Sequence, residues 1–286
     1  MIPAQFDCVR ARTVDEAVTA LGENDNAKLL AGGQSLLPIL RLRLAYPDLV
    51  VDLSRTAGMW GIRDDGDALV IGGMTTHYEV MTSDLVQRHC GLLGEATSTV
   101  ADPQVRHRGT FGGALSHADP AGDLPAVALA FGATMVAAGT DGRREIPASE
   151  FFVDYLQTAL QPTEVLVEVR VPKLGTGSGW GYRYEKFQRV AQAWAIVGVA
   201  ALVRRSGDVI EEARVGLTNM GSTPLRASAT DAALAGAAAT AGAVAEAAEL
   251  AAEGTSPTSD LSGQADYRQH LARILTQDAV ASAAGL

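Results

Sequence analysis

The chain has 286 residues, 47% hydrophobic and 20% charged, an ordinary globular composition long enough for two or three domains. Lysine and arginine number 23 against 33 aspartates and glutamates, a net charge of −10, and the lysines are Lys28, Lys173 and Lys186 alone. No basic tract occurs, so nucleic acid is not an expected partner, and an anionic ligand must be held by local donors rather than by the overall field.

Cys8 and Cys90 form no C-x-x-C pair, so this chain by itself is expected to ligate neither an iron–sulfur cluster nor a cysteine-rich zinc site. Two thiols suit a reducing cytoplasm, although two could also pair. The N-terminal residues do not read as a signal peptide. The most apolar window, 124–138, is too short to span a bilayer and carries Pro125 and Gly132.

In chain order, TVDE at 13–16 reads as a capping box, with Thr13 capping and Glu16 reaching back. Ala17, Val18 and Leu21 then form one apolar helical face. Residues 28–31 predict a short buried strand, 36–44 a helix in the latter part with Pro38 near its start, and 49–53 a strand. The opening fifty or so residues thus form a β-α-β-α-β unit. Residues 68–73 read as a strand, and THYE at 76–79 as a second capping box opening a helix. Residues 85–100 are mostly helical, and 124–129 form another helix. Residues 133–138 and 143–146 predict a hairpin around GTDG at 139–142, and 166–171 alternate as a strand that stops at Pro172. A glycine-rich break at 174–181 marks a domain boundary. Beyond it, 180–187, 195–204 and 210–217 predict three antiparallel strands. Helices follow over 227–254 and 265–284, the latter with Leu271, Ile274 and Leu275 at helical spacing. The pattern is α+β.

Two segments carry chemistry. KLLAGGQSLLP at 28–38 and DPQVRHRGTFGGA at 102–114 each have an apolar lead-in, adjacent glycines and a hydroxyl residue. A Gly-Gly pair permits positive φ and leaves no Cβ in the way of a ligand. Successive N–H groups in such a turn can converge on an anion. Each segment alone reads equally well as a structural turn; the pair suits two linked phosphates, as in a dinucleotide. Neither is a G-x-G-x-x-G or P-loop pattern. His77, His107 and His117 occur near Asp102 and Asp119 without metal-ligand spacing and read as surface or hydrogen-bonding residues. No G-x-S-x-G surrounds Ser35 or Ser116.

With its flanks, this pair resembles the FAD-binding medium subunit of molybdenum hydroxylases, the xanthine dehydrogenase family, and especially its aerobic carbon monoxide dehydrogenase branch. AGGQSLLP at 31–38 and ADPQVRHRGTFGG at 101–113 match the family's two phosphate loops, and YEKFQR at 184–189 and VGLTN at 215–219 match that branch. The likeness covers essentially the whole chain. It implies a PCMH-type FAD-binding domain of two α/β subdomains, at 1–56 and 57–175. A C-terminal domain at 176–286 follows, with a three-stranded antiparallel sheet and a helical bundle.

The resemblance implies FAD on this chain, touched by Lys28, Leu29, Ala31, Gly32, Gly33, Gln34, Ser35 and Leu36 from the first loop. From the second come Ala101, Thr110, Gly112, Gly113 and Ala114, and from elsewhere Asp123, Leu166, Lys186 and Trp194. The N–H groups of Gly32 to Ser35 would hold one phosphate, and those of Thr110, Gly112, Gly113 and Ala114 the other. Ala114 stands where the family usually has Asn, which removes a side-chain hydrogen bond. Asp123 would hold the nucleotide portion, Lys186 would favour an anionic reduced flavin, Leu166 would touch the adenine, and Trp194 would gate the ring face. Plainer readings exist: a helix N-cap for Asp123, a surface lysine for Lys186, and core residues for Leu166 and Trp194.

The same resemblance implies an electron-transfer subunit. Substrate would be oxidised at a molybdenum cofactor on a large subunit. Electrons would pass through two [2Fe–2S] clusters on a small subunit to this FAD, then to an external acceptor. The expected assembly is an (αβγ)2 heterohexamer, with peripheral contact to a membrane quinone pool. No catalytic acid–base residue and no metal ligand is expected here. Two other readings are a stand-alone flavin oxidase or reductase on the same scaffold, and a non-catalytic nucleotide-binding module.

Overall fold

The computed structural model describes residues 2–175 and 179–286. Thr176, Gly177 and Ser178, at the centre of the glycine-rich break expected as a boundary, lie outside the described residues.

The first lobe alternates β1 (Asp7–Arg10), α1 (Val14–Gly22), β2 (Ala27–Leu30), α2 (Leu36–Arg41) and β3 (Leu49–Asp52). Its strands pair in parallel in the order β1-β3-β2, which requires crossover connections of the kind α1 and α2 supply. Thr13 caps α1 by accepting from the Glu16 N–H at 3.1 Å. Glu16, however, accepts from the Arg12 N–H at 2.7 Å rather than from Thr13, so the expected box is shifted by one residue. Ala17, Val18 and Leu21 are the buried face. As an edge strand, β2 is only partly buried, with Lys28 facing out. Helix α2 fills the first part of 36–44, not the latter part. Pro38 falls in its first turn, where the missing N–H has no intrahelical partner to lose.

The second lobe opens with β4 (Ile62–Asp65) and β5 (Ala68–Gly72). Short helices follow: α3 (His77–Thr82), α4 (Asp84–His89), α5 (Gly91–Ser98), α6 (Pro103–Arg106), α7 (Phe111–His117) and α8 (Asp123–Phe131). The complete capping box appears at α3, where Thr76 and Glu79 exchange backbone-to-side-chain hydrogen bonds. The hairpin of β6 (Thr134–Gly139) and β7 (Gly142–Pro147) forms as expected. Next come α9 (Ala148–Phe151), β8 (Phe152–Asp154), β9 (Gln157–Thr158) and β10 (Val165–Pro172). The main sheet is antiparallel in the order β4-β5-β10-β6-β7, so the last strand lies at its centre. The alternation of 166–171 therefore does not produce a wet face: Val165 through Val169 are all buried. Leu166, Val169 and Val171 share a core with Leu115 and Leu124 from α7 and α8. Val165 and Val167 share another with Ala17 and Val18 of α1.

The third lobe pairs β11 (Trp180–Phe187), β12 (Val197–Ser206) and β13 (Val209–Thr218) antiparallel, as expected. A two-residue β14 (Leu225–Arg226) makes the sheet four-stranded rather than three, and it is too short to show a pattern. The expected helical stretch 227–254 breaks into α10 (Ser228–Leu234), α11 (Ala241–Ala248) and a 3-10 turn at Glu249–Ala252. Helix α12 (Ala265–Ala284) buries Leu271, Ala272, Ala279 and Val280, whereas Ile274 is exposed. Two glycines allow close packing here. A Cβ on Gly181 would lie 1.9 Å from the Ala283 carbonyl oxygen, and one on Gly216 would lie 2.3 Å from that of Ala126. The second approach seats α8 on β13 and ties the third lobe to the second. Among the described residues, no helix is long and apolar enough to cross a membrane.

Candidate cofactor-binding site

The first glycine segment is the turn from β2 to α2. Gly33 has φ of 76°, a region that favours glycine. The Gln34 side chain donates to the Gly32 carbonyl at 3.0 Å and closes the turn on itself. The five N–H groups from Gly32 to Leu36 have no acceptor among the described residues. Such donors at a helix start suit an anion. Ser35 makes no capping bond, so its hydroxyl is also uncommitted within the turn.

The second segment behaves differently and corrects the symmetric picture of two donor loops. Gly112 and Gly113 sit in the first turn of α7, not in an open loop, and neither has positive φ. Their N–H groups are used internally. Gly112 donates to the Gly73 carbonyl at 3.0 Å, Gly113 to Thr110 Oγ1 at 3.1 Å, and Ala114 to the Thr110 carbonyl at 3.0 Å. Gly112 is glycine because a Cβ there would lie 2.6 Å from the Gly73 oxygen. Upstream, Asp102 caps α6 through the Val105 N–H at 2.8 Å. Arg106 donates to the carbonyls of Val100 and Ala101 at 2.8 and 3.2 Å, bracing Ala101 in a left-handed conformation with φ of 42°.

The two segments meet. A Cβ on Gly32 would lie 2.1 Å from the Arg108 carbonyl oxygen and 2.7 Å from Gly109 Cα. Only a residue without a side chain allows this backbone-to-backbone contact. Around it opens a cavity of about 520 Å³, within the range of sites that take cofactors and drug-sized ligands. All the residues expected from the sequence to contact the cofactor line it, from Lys28 in the first lobe through Ala101, Thr110, Asp123 and Leu166 in the second to Lys186 and Trp194 in the third. Trp194 is 58% exposed at the cavity wall, which excludes its reading as a core aromatic. Leu166 is both a lining and a core residue.

Beneath the cavity lies a buried ionic cluster. Lys186 Nζ donates to Asp123 Oδ2 at 2.9 Å and to the Thr99 carbonyl at 3.1 Å, while the Tyr184 hydroxyl donates to Asp123 Oδ1 at 2.7 Å. Asp123 and Lys186 side chains are each 5% exposed. Lys186 is thus neither a surface lysine nor an isolated cation: Asp123 neutralises it at contact distance. Burial pushes the Asp123 carboxyl above its ordinary range, against the pull of Lys186 and Tyr184. Asp123 is the first residue of α8 and not its N-cap, which is Gly122.

Several lining residues escaped the sequence reading, among them His77, Gly73, Asp119 and Gln192. The capping box at 76–79 located the start of α3 but not which way His77 would face. His77 is buried, which removes the surface alternative of its expected role and leaves the hydrogen-bonding one. His107 conforms: it is exposed, its Nδ1 lies 2.6 Å from the Pro103 carbonyl oxygen, and its ring stacks on Tyr78 at 4.1 Å. His117 Nε2 lies 3.9 Å from Asp119 Oδ2. Among the described residues, no group of His, Cys, Asp and Glu is placed to hold a metal.

Fold and cavity together define a three-lobed protein whose central cavity is bordered by a run of uncommitted main-chain donors. Residues 4–174 match the FAD-binding domain in molybdopterin dehydrogenases, and residues 182–283 the C-terminal domain of CO dehydrogenase flavoproteins. The chain is 42% identical over 284 residues to the carbon monoxide dehydrogenase medium chain of Hydrogenophaga pseudoflava, covering 99% of this chain and 98% of that one. It is 36% identical to the 6-hydroxypseudooxynicotine dehydrogenase complex subunit alpha of Paenarthrobacter nicotinovorans, over 99% of this chain and 96% of the other. The solved structure of carbon monoxide dehydrogenase from Hydrogenophaga pseudoflava, which lacks the Mo-pyranopterin moiety of the molybdenum cofactor, superposes with a TM-score of 0.96. Its sequence identity is 43%, with 100% of this chain and 99% of that one covered. The chain belongs to the family of FAD-binding medium subunits of molybdenum hydroxylases, which are subunits of multi-subunit oxidoreductases.

Proposed function

We propose that this chain holds FAD in the inter-lobe cavity and relays electrons from a partner's iron–sulfur centres to an external acceptor. The observation that carries the reading is the run of five uncommitted N–H groups at Gly32 to Leu36, at the point where the two glycine segments touch. Bound flavin would supply the electron chemistry, and the protein supplies position and electrostatics. Gly32, Gly33, Gln34, Ser35 and Leu36 donate to the diphosphate. Thr110, Gly112, Gly113 and Ala114 form the opposing wall and hold the segment's shape rather than donating. Leu166, Leu29 and Lys28 border the site from their strands, Ala101 from its braced turn, and Ala31 from the segment junction. The Asp123–Lys186 pair lies under the cofactor as a neutral unit, and Trp194 covers its outer edge.

The division of labour follows. Cys8 and Cys90 are both free, one exposed and one buried, so this chain brings no cluster ligands. Two [2Fe–2S] clusters belong to a small subunit, and substrate oxidation to a molybdenum cofactor on a large one, in an (αβγ)2 complex located in the cytoplasm. The external acceptor is a quinone, another carrier or O₂. The chain divides at 1–56, 57–175 and 176–286, in keeping with one principal sheet per part, the two-stranded β8-β9 pair being an addition to the second.

The test is direct. The full chain, purified and titrated with FAD, is expected to take up one equivalent and to show flavin absorbance near ~450 nm, as is general for oxidised flavin cofactors. A chain that binds no FAD, alone or in its complex, would sink the reading.

A further inference from the structure

His77 stands at the first position of α3 and is 4% exposed. Its backbone N–H donates to the Gly109 carbonyl at 2.9 Å, fastening α3 to the second glycine segment. Its ring edge packs against Gly109, where a Cβ would lie 2.8 Å from Cδ2 and 3.0 Å from Nε2. The same side chain lines the cavity. Nδ1 is shut away from solvent and has no partner. Nε2 has no partner among the described residues either, but it is not shut away.

Burial, assisted by the nearby Arg106 charge, pushes the imidazole down to about 4, so the ring is neutral at physiological pH. A neutral imidazole carries one N–H, on one nitrogen or the other. On Nδ1 it would be an orphaned buried donor, a fault rarer in proteins than an unsatisfied acceptor. On Nε2, which is not shut away and belongs to a side chain that lines the cavity, it is free to meet a ligand.

We propose that His77 is a hydrogen-bond donor to the bound cofactor, giving its Nε2–H to a phosphate or carbonyl oxygen of FAD. The assignment rests on the FAD reading above. It adds a neutral side-chain donor to a site otherwise served by main-chain N–H groups of the first segment, and it belongs to neither glycine segment. It also accounts for Gly109, whose missing Cβ leaves room for the ring.

The experiment uses the full chain labelled with ¹⁵N-histidine, together with FAD titrations of wild type, His77→Leu and His77→Gln. The apo wild type is expected to show His77 as the Nε2–H tautomer, and FAD is expected to shift that Nε2–H resonance. His77→Leu is expected to bind FAD about three- to tenfold more weakly, the range for loss of one hydrogen bond. His77→Gln, which keeps an N–H donor, recovers most of the loss. Should the leucine variant fail to fold, the tautomer and its response to FAD in the wild type decide the matter. An Nδ1–H tautomer, or FAD binding by both variants equal to wild type, overturns the role of His77 while leaving the cofactor reading intact. A wild-type chain that takes up no FAD overturns both.

Discussion

Replacing Lys186 by Met removes the cation of a pair whose side chains are each 5% exposed and 2.9 Å apart. Breaking a buried pair by deleting one partner typically costs about 3–5 kcal/mol. Here the Tyr184 hydroxyl still donates to Asp123, so the lower end applies, and roughly 3 kcal/mol is expected at pH 7.5. For a chain of this size that corresponds to a fall of roughly 6–12 °C in unfolding temperature. The deficit depends on pH. Burial already raises the Asp123 carboxyl in the folded state, and Lys186 is the largest influence pulling it down. Removing Lys186 raises it further. A carboxyl raised on folding favours the folded state fully below its unfolded value, about 4, and that advantage is lost as pH rises through the folded value. The Lys186→Met deficit relative to wild type should therefore be largest at neutral pH and shrink as pH falls toward 5. Thermal unfolding of the full chain at pH 7.5 and 5.0 checks this. A Lys186→Met/Asp123→Asn double variant serves as control, and it should regain much of the loss at pH 7.5. A single variant as stable as wild type at pH 7.5, or equally impaired at both pH values, would refute the buried-pair argument.

Gly32→Ala forces a Cβ onto the Arg108 carbonyl at 2.1 Å, so the two segments must part. FAD affinity measured by equilibrium dialysis should fall at least about tenfold, a change worth about 1.4 kcal/mol, and unchanged binding would show that the contact is dispensable. Trp194→Ala should leave stability within about 0.5 kcal/mol, as for exposed positions, since Trp194 is 58% exposed. The same variant should alter the rate at which the reduced complex meets O₂, and identical stopped-flow rates would remove its gating role. The two cysteines should differ in reactivity, because Cys8 is exposed whereas burial pushes the Cys90 thiol up to about 12. A thiol reagent should label one site in the native chain and two after unfolding; rapid native labelling of Cys90 would contradict its burial.

Local signals were legible where a short stretch determines its own backbone. Thr76 and Glu79 form their capping box with atoms three residues apart, and the 139–142 turn sets its hairpin register. The β-α-β-α-β order of the first lobe followed from helices spaced between short apolar runs. Where distant segments decide, the reading slipped. The stretch 166–171 alternates in hydrophobicity, yet its strand is central and covered on both faces. Ile274 has the spacing of a core residue but points outward, because α12 presses its alanines onto the sheet. The second glycine pair reads as a donor loop, yet its N–H groups are spent on Thr110 and on Gly73, about forty positions upstream.

From composition and motif alone one could tell that an acidic chain without a basic tract carries two glycine-bearing segments whose pairing suits linked phosphates, because both the missing Cβ atoms and the missing basic field are properties of residue type. Tertiary structure alone decided which segment keeps its N–H groups uncommitted, that Lys186 is neutralised by Asp123, and that His77 lines the cavity. Hydrogen-bond partners and burial are set by what packs alongside, and the groups concerned lie tens of residues apart: Lys186 meets Asp123 across 63 positions, a separation over which no local pattern carries information.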